Sequence, residues 1–570
     1  MKINGYELNL SEEQLDEIFA RKLRPIELIT PEFEGYKNLP ESEKKVIAHL
    51  VKAAEIMNDV SLEQDHPLNL QLKKGLEKAA KNNSHAAKAL RLFNCFNGVA
   101  GLNGLDPEPV QIFKGVKVLP GRNFYPAGLS VEEFHDIIAK MLKAGKHKEV
   151  ALILSNRTMV RRQGEELKAI DYTEYFKKEF SAVANELEVA AHYTADEAFK
   201  DYLGWQAQAL IQNNEDMDML ADKHWAVLQD SPIEFTVGRE NYDDEMTPTI
   251  CENAALKAQL DALGIEVNSK DMIGIRVGLV NKKGTDLLLT FKEQMKSLAG
   301  LMPYADRYKQ NVASGDDLKQ TMVDVDLIDL TGDYAQCRGA ITTAQNLPND
   351  DKLAIKTGGG RRNVYHRQVR MSQDRERTKK LLNALVAENL HQYFNPEAEH
   401  IFVIGHENGH SLGPDSSFKN SLGLYKHTIE ENKADVVSIA MMPQYVKAGI
   451  INERTLKEIY TTWIIRIFLK AKPQLIQPHR VGDLIHFNWL LEHGAIRFNA
   501  DNKLEIDFDK LPDAMNKILD ETILVQLSKS PEKAKNFIDK YSEWKDIHRY
   551  IAKTLVEIGI KPYIEIRKHF

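Results

Sequence analysis

His406, Glu407 and His410 stand in the run IFVIGHENGHSLGP (401–414), spaced as H-E-x-x-H. On a helix, positions i and i+4 share one face a turn apart, so the two imidazoles converge on one metal ion while Glu407 points toward the ion's open side. A hydrolytic zinc centre needs that arrangement: nitrogen donors for the metal and a carboxylate base for a water. Against it stand Gly405 and Gly409, each of which costs a helix about 1 kcal/mol relative to alanine, with Gly413 and Pro414 ending the segment soon after. Such a helix persists only if packing or a metal holds it.

A zinc hydrolase keeps three protein ligands and leaves a fourth position for water, so one more donor is required. The next candidate is HTIEENKADVVSIAMM (427–442), a helix pattern with Glu430, Glu431 and Asp435 on its polar part and Val436, Val437, Ile439 and Met441 on its apolar part. Either glutamate can reach a metal. Asp435, four residues after Glu431, is placed to hydrogen-bond a ligating imidazole and fix its tautomer. A Glu-Glu pair alone reads as a solvated helix face; beside H-E-x-x-H it reads as the rest of a metal set.

These groups need elements to hold them. Apolar positions recur at helical spacing from 41 to 100, as in EKKVIAHLVKAAEIM, and helix continues to about 228, with Ser130 capping a new one ahead of Glu133. From about 231 to 375 come strand-like runs, IGIRVGLV, DLLLTF and DVDLIDL, between turn clusters such as NLPNDDK and KTGGGRRN. Helix then returns to the end. The expected fold class is α+β, mostly helical with a strand-containing middle.

Composition narrows the function classes. A net charge of -8 argues against nucleic acid as a partner. No run approaches the roughly 20 apolar residues that cross a bilayer, and the first residues lack the apolar region of a signal peptide. Cys95, Cys251 and Cys337 have neither metal nor redox spacing and are odd in number, which fits a reducing, cytoplasmic setting.

Four stretches together resemble the dipeptidyl peptidase III family of zinc exopeptidases. EENKAD (430–435) is similar to the family's second motif with lysine at its basic position; VGRENYDD (237–244) is similar to its Glu-x-Tyr stretch; QNLPNDD (345–351) is similar to its Asn-x-Pro-Asn-x-Asp stretch; and PHRVGDLIHFNWLLEHGA (478–495) is similar to a helix with a histidine ahead of Leu-Leu-Glu-x-Gly. The resemblance implies that His406, His410 and Glu431 hold one Zn2+ per chain, with Glu430 and Asp435 supporting them, and that Glu407 is the general base. It further implies that Glu240, Asn346, Asn349 and Asp351 hold the free amino end of an oligopeptide, that Tyr242 reaches the scissile carbonyl, and that His479 stabilises the tetrahedral intermediate. A protonated amine wants carboxylate and amide oxygens, so those residue types suit the task.

The implied architecture has two lobes about a cleft. Residues 1–265 and 330–375 would form a substrate lobe with a β-barrel-like strand core and N-terminal helices, and 266–329 and 376–570 a mainly helical zinc lobe. The chain departs from most of the family in its five-residue first motif, the form of some bacterial members, and from eukaryotic relatives in the short stretch 411–429 and in Asp483, which stands where they have an arginine; Arg480 lies nearby. The expected activity is release of dipeptides from free N-termini. Alternatives are an aminopeptidase or endopeptidase with the same ligands, or an inactive peptide-binding protein, against which the intact Glu407 argues.

Overall fold

Apolar spacing of three and four residues in EKKVIAHLVKAAEIM yields the first long helix, α1 (Glu41–Asp65), whose Val46, Leu50, Ala54 and Met57 are buried along one stripe. The structure is a computed structural model that describes residues 1–570 apart from 102–109, 213–214, 241–243, 311–320, 336–343, 348–361, 372–374, 416–417, 419–420, 476 and 560.

The buried stripe of α1 packs across β2 and β3 of a mixed sheet made of β1 (Ile233–Glu240), β2 (Met272–Val280), β3 (Thr321–Gly332), β4 (Ala344–Leu347) and β5 (Arg362–His366). Their order is β1-β2-β3-β5-β4. β1 and β2, β2 and β3, and β5 and β4 pair antiparallel, while β3 and β5 run parallel. All twelve residues of β3 are buried, which explains why these strands read as nearly continuous runs.

Two expectations are corrected here. Among the described residues the sheet is open, with β1 and β4 as its edges, so the strand core is not a barrel. DLLLTF (286–291), read as a strand, lies in the helix Lys282–Lys292. Asn281 caps that helix by accepting from the Gly284 amide (2.9 Å), and Leu288 and Phe291 are buried three residues apart. A short apolar run has no period of its own, so the cap decides.

The helical part consists chiefly of α2 (Pro396–His410), α3 (Lys426–Lys447), α4 (Glu453–Arg466), α5 (Pro478–Glu492) and α6 (Leu511–Leu527). α3 lies at the centre and touches the other four. Around it Ile404, Val436, Trp463, Ile485 and Ile523 build a hydrophobic core distinct from the one under the sheet. Residues 266–329 join both, supplying β2 and β3 to the sheet and Leu288, Phe291 and Met322 to the helical core. Near the chain's end, Tyr563–Arg567 pairs parallel with Leu23–Glu27. Among the described residues no helix is long and apolar enough to cross a membrane.

Candidate metal centre

α2 forms despite its glycines because of what lies against them. Asn395 caps it, accepting from the Glu397 amide (3.1 Å), with Pro396 in the first turn. A Cβ on Gly405 would stand 2.3 Å from Ser438 Oγ, and one on Gly409 would stand 2.7 Å from the Ala434 carbonyl oxygen. The glycines let α2 approach the backbone of α3, and the cost to helix propensity is offset by that contact. The last carbonyls of α2 are met by Lys433, which is fully buried and donates to the oxygens of Gly409 (2.8 Å), His410 (3.3 Å) and Leu412 (2.8 Å). A cation there satisfies orphaned carbonyls and complements the helix dipole.

With α2 and α3 this close, the side chains interlock. His406 Nδ1 donates to Asp435 Oδ1 (2.7 Å) and His410 Nδ1 to Glu430 Oε1 (3.0 Å). Glu430 is itself held by Lys433 (3.0 Å) and by Gln526 Nε2 from α6 (3.2 Å). Both imidazoles therefore turn their Nε2 atoms toward each other, 3.2 Å apart. Glu431 Oε2 stands 3.5 Å from His406 Nε2 and 3.6 Å from His410 Nε2, and His479 Nδ1, from the first turn of α5, is 3.3 Å away on the other side.

The array is avid for positive charge. Burial alone would depress His406, but the Asp435 carboxylate, with Glu407 and Glu431, outweighs it and pushes the ring up to about 9. Burial likewise opposes ionisation of Asp435 and Glu431. The hydrogen bond from His406 holds Asp435 well below the usual carboxylate range, and His479, His410 and His406 hold Glu431 below its ordinary value. Glu431 Oε2 is buried and accepts no hydrogen bond among the described residues. Once the imidazoles give up their Nε2 protons, two lone pairs and a carboxylate oxygen with no hydrogen-bond donor among the described residues, gathered within 4.8 Å, are a donor set that a divalent metal fits.

Glu407 sits beside His406 on α2 and is buried. The phenol of Tyr365, on β5, lies close enough that burial and then the Glu407 carboxylate push its pKa well up, and its ring meets His400 of α2 edge-on (centroids 5.5 Å apart). The proposed amine-binding group is not assembled in view. Tyr242, Asn349 and Asp351 lie outside the described residues. Glu240 and Asn346 are described only in their main chains, opposite Met272 in β2 and Asn363 in β5. Asp483 is fully buried and accepts from Arg480 Nη1 (3.0 Å).

Sequence reasoning did not assign Lys433, Gln526 or Tyr365. Lys433 had a signal in the basic position of EENKAD, while nothing around Gln526 or Tyr365 marks it. His486, read as packing or surface, is buried 4.0 Å from Asp435, and His493 stacks on Trp489 (4.1 Å).

The fold that brings this His, His, Glu donor set together beside an open five-stranded sheet is already represented among solved structures. The chain matches a structure of dipeptidyl peptidase III from Caldithrix abyssi with a TM-score of 0.77 and 25% identity, over 96% of this chain and 98% of that one. It matches dipeptidyl-peptidase III from Corallococcus sp. strain EGB with a TM-score of 0.75 and 21% identity, over 97% of each. The chain has the dipeptidyl peptidase III fold, and the resemblance read from its motifs extends over nearly its whole length. Among curated proteins, Nudix hydrolase 3 of Arabidopsis thaliana is 23% identical across 88% of this chain and 68% of that protein. No family model matches the sequence.

Proposed function

We propose that the protein is a zinc-dependent exopeptidase that releases dipeptides from the free N-terminus of oligopeptides. The observation that carries this reading is the convergence of His406 Nε2, His410 Nε2 and Glu431 Oε2 beside Glu407, within the dipeptidyl peptidase III fold. When bound by these three residues, Zn2+ supplies the charge that acidifies a water and polarises a peptide carbonyl.

Glu407 takes the proton of the attacking water and returns it to the leaving amine. Asp435 and Glu430 keep both imidazoles in the tautomer whose Nε2 is a lone pair. His479, half in solvent at the start of α5, and Tyr242 donate to the developing oxyanion. Glu240, Asn346, Asn349 and Asp351 hold the α-ammonium group and so place the second peptide bond beside Glu407. The sheet with α1 forms one lobe and α2 through α6 the other, with the peptide lying between them.

The test is mass spectrometry of products from a pool of peptides four to ten residues long, with free and acetylated N-termini, incubated with the zinc-loaded protein with and without chelator. Dipeptides released only from free N-termini and abolished by chelator are expected. Single residues or internal fragments would keep the metal chemistry and discard the amine-holding group, and no cleavage would leave a peptide-binding protein.

A further inference from the structure

On the far side of Asp435 from His406, the helical core holds a polar cluster that the proposed chemistry does not use. Asp435 on α3 and Asp483 and His486 on α5 are all buried, with a side-chain nitrogen or oxygen of each within 4.8 Å of the others. His486 Nδ1 lies 4.0 Å from Asp435 Oδ2, and its ring tilts against Trp463 with centroids 5.6 Å apart. Asp483 accepts from Arg480 (3.0 Å) and stands 4.0 Å from Arg466 Nη1, while Arg466 Nε lies 3.4 Å from Glu399 Oε1. Among the described residues Asp483 Oδ1, Arg466 Nη1 and Trp463 Nε1 have no hydrogen-bond partner, and His486 lies against the main chain of Asn432 without a well-formed hydrogen bond at either ring nitrogen.

Well-packed apolar residues would fill this space without loss of stability, because a buried ionic cluster seldom adds any. Its place on α5 suggests another use. His479, Asp483 and His486 occur at i, i+4 and i+7 and so share one helix face. That face meets the side of α3 that carries Glu431 and Asp435. At one end His479 faces Glu431 (3.3 Å), and at the other His486 faces Asp435, which in turn holds His406 Nδ1.

We propose that His486 and Asp483 are positioning residues for the metal centre. His486 steadies the Asp435 carboxylate behind His406, and Asp483 with its arginines steadies His486. The same contact sets the register of α5 on α3 and so stations His479 beside Glu431. This rests on the metal reading above. A second cation is the competing occupant of the cluster, but Arg466 and Arg480 bring guanidinium N–H groups to Asp483, and a cation takes lone pairs only.

The test compares wild type with His486→Leu, His486→Gln and Asp483→Asn. It reads Zn2+ affinity by competition with a chromophoric chelator, zinc per chain by elemental mass spectrometry, and kcat and KM on a free-amine tetrapeptide, with circular dichroism to confirm folding. Losing a partner bonded directly to a metal ligand costs about tenfold or more in metal affinity, and His486 acts on such a partner, Asp435. His486→Leu should therefore lose several-fold, up to about tenfold, in affinity and, at saturating zinc, several-fold in kcat with KM unchanged. Asp483→Asn should lose less, and His486→Gln, which keeps an N–H toward Asp435, should recover most of both. Folded Leu and Asn variants with wild-type affinity and kcat overturn the proposal, as does equal impairment in Leu and Gln. Two zinc ions per wild-type chain and one per variant would make the cluster a second cation site instead. If His486→Leu does not fold, Asp483→Asn carries the test with the same readouts. A wild type that takes up no zinc fails the metal reading itself, whatever the variants do.

Discussion

Two buried charged clusters, one under the sheet and one in the helical core, are built on opposite plans. Under the sheet, Glu234 is fully enclosed with Arg276 and Arg362. It accepts from Arg362 Nε and Nη2 (3.0 and 2.9 Å), Trp225 Nε1 (3.1 Å), Thr236 Oγ1 (2.6 Å) and Arg276 Nη2 (3.3 Å). Burial would raise its pKa, but the two guanidiniums hold it below the ordinary value. In the helical core, Glu431 Oε2 accepts no hydrogen bond among the described residues and faces three imidazole nitrogens at 3.3–3.6 Å. Buried charge is therefore no mark of a functional site by itself. A carboxylate ringed by donors ties strands together; a carboxylate met only by imidazole nitrogens, which can give up their protons, calls for a cation.

The contrast can be broken most sharply at Glu407. Glu407→Ala should keep its zinc and lose about 10²–10⁴-fold in kcat, the usual worth of a positioned general base; turnover at the wild-type rate would remove the mechanism. In the sheet, Glu234→Gln should leave zinc content and KM per folded chain unchanged while destabilising the fold by about 3–5 kcal/mol, because two arginines lose their counter-charge. Urea unfolding measures this, and an unchanged midpoint would mean that the network is not structural.

A smaller effect is expected at the amine-holding group. Asp351→Ala should raise KM for free-amine peptides about tenfold, the scale of a charged hydrogen bond, with little change in kcat. An unaltered KM would dismiss its assigned role.

The smallest effect is in pH. His406 in the zinc-free protein is raised to about 9, above its unfolded value of 6.5. Its contribution to stability is thus fully present below pH 6.5 and is lost as pH rises to 9. Thermal melts of wild type against His406→Gln should show that difference shrinking across the window without zinc. Zinc-loaded wild type should lack the slope, since the metal takes the proton's place. A gap that widens with rising pH in the zinc-free proteins would contradict the assignment.

How much of this could be read from the residues alone depended on range. H-E-x-x-H and EENKAD were legible because helical spacing puts His406 with His410, and Glu431 with Asp435, on single faces. Ser130 was legible as a cap for the same local reason, and it accepts from the Glu133 amide at 3.1 Å. The glycines of α2 showed only their cost. Their benefit lies in Ala434 and Ser438 on another helix, which no local pattern reveals. Lys433 showed in the sequence only as the basic position of EENKAD; that it caps the end of α2 depends on a second helix packed against it. The open sheet was missed because strand pairing is set by long-range register, and DLLLTF was misread because an apolar run of six suits a strand or a helix face equally.

The most direct test of the central claim is a crystal of the zinc-loaded protein measured at wavelengths on either side of the zinc absorption edge. The account predicts one anomalous peak per chain, about 2.0–2.2 Å from His406 Nε2, His410 Nε2 and a Glu431 carboxylate oxygen. No peak among these three side chains, or a peak held by other residues while they remain hydrogen-bonded to one another, would contradict it.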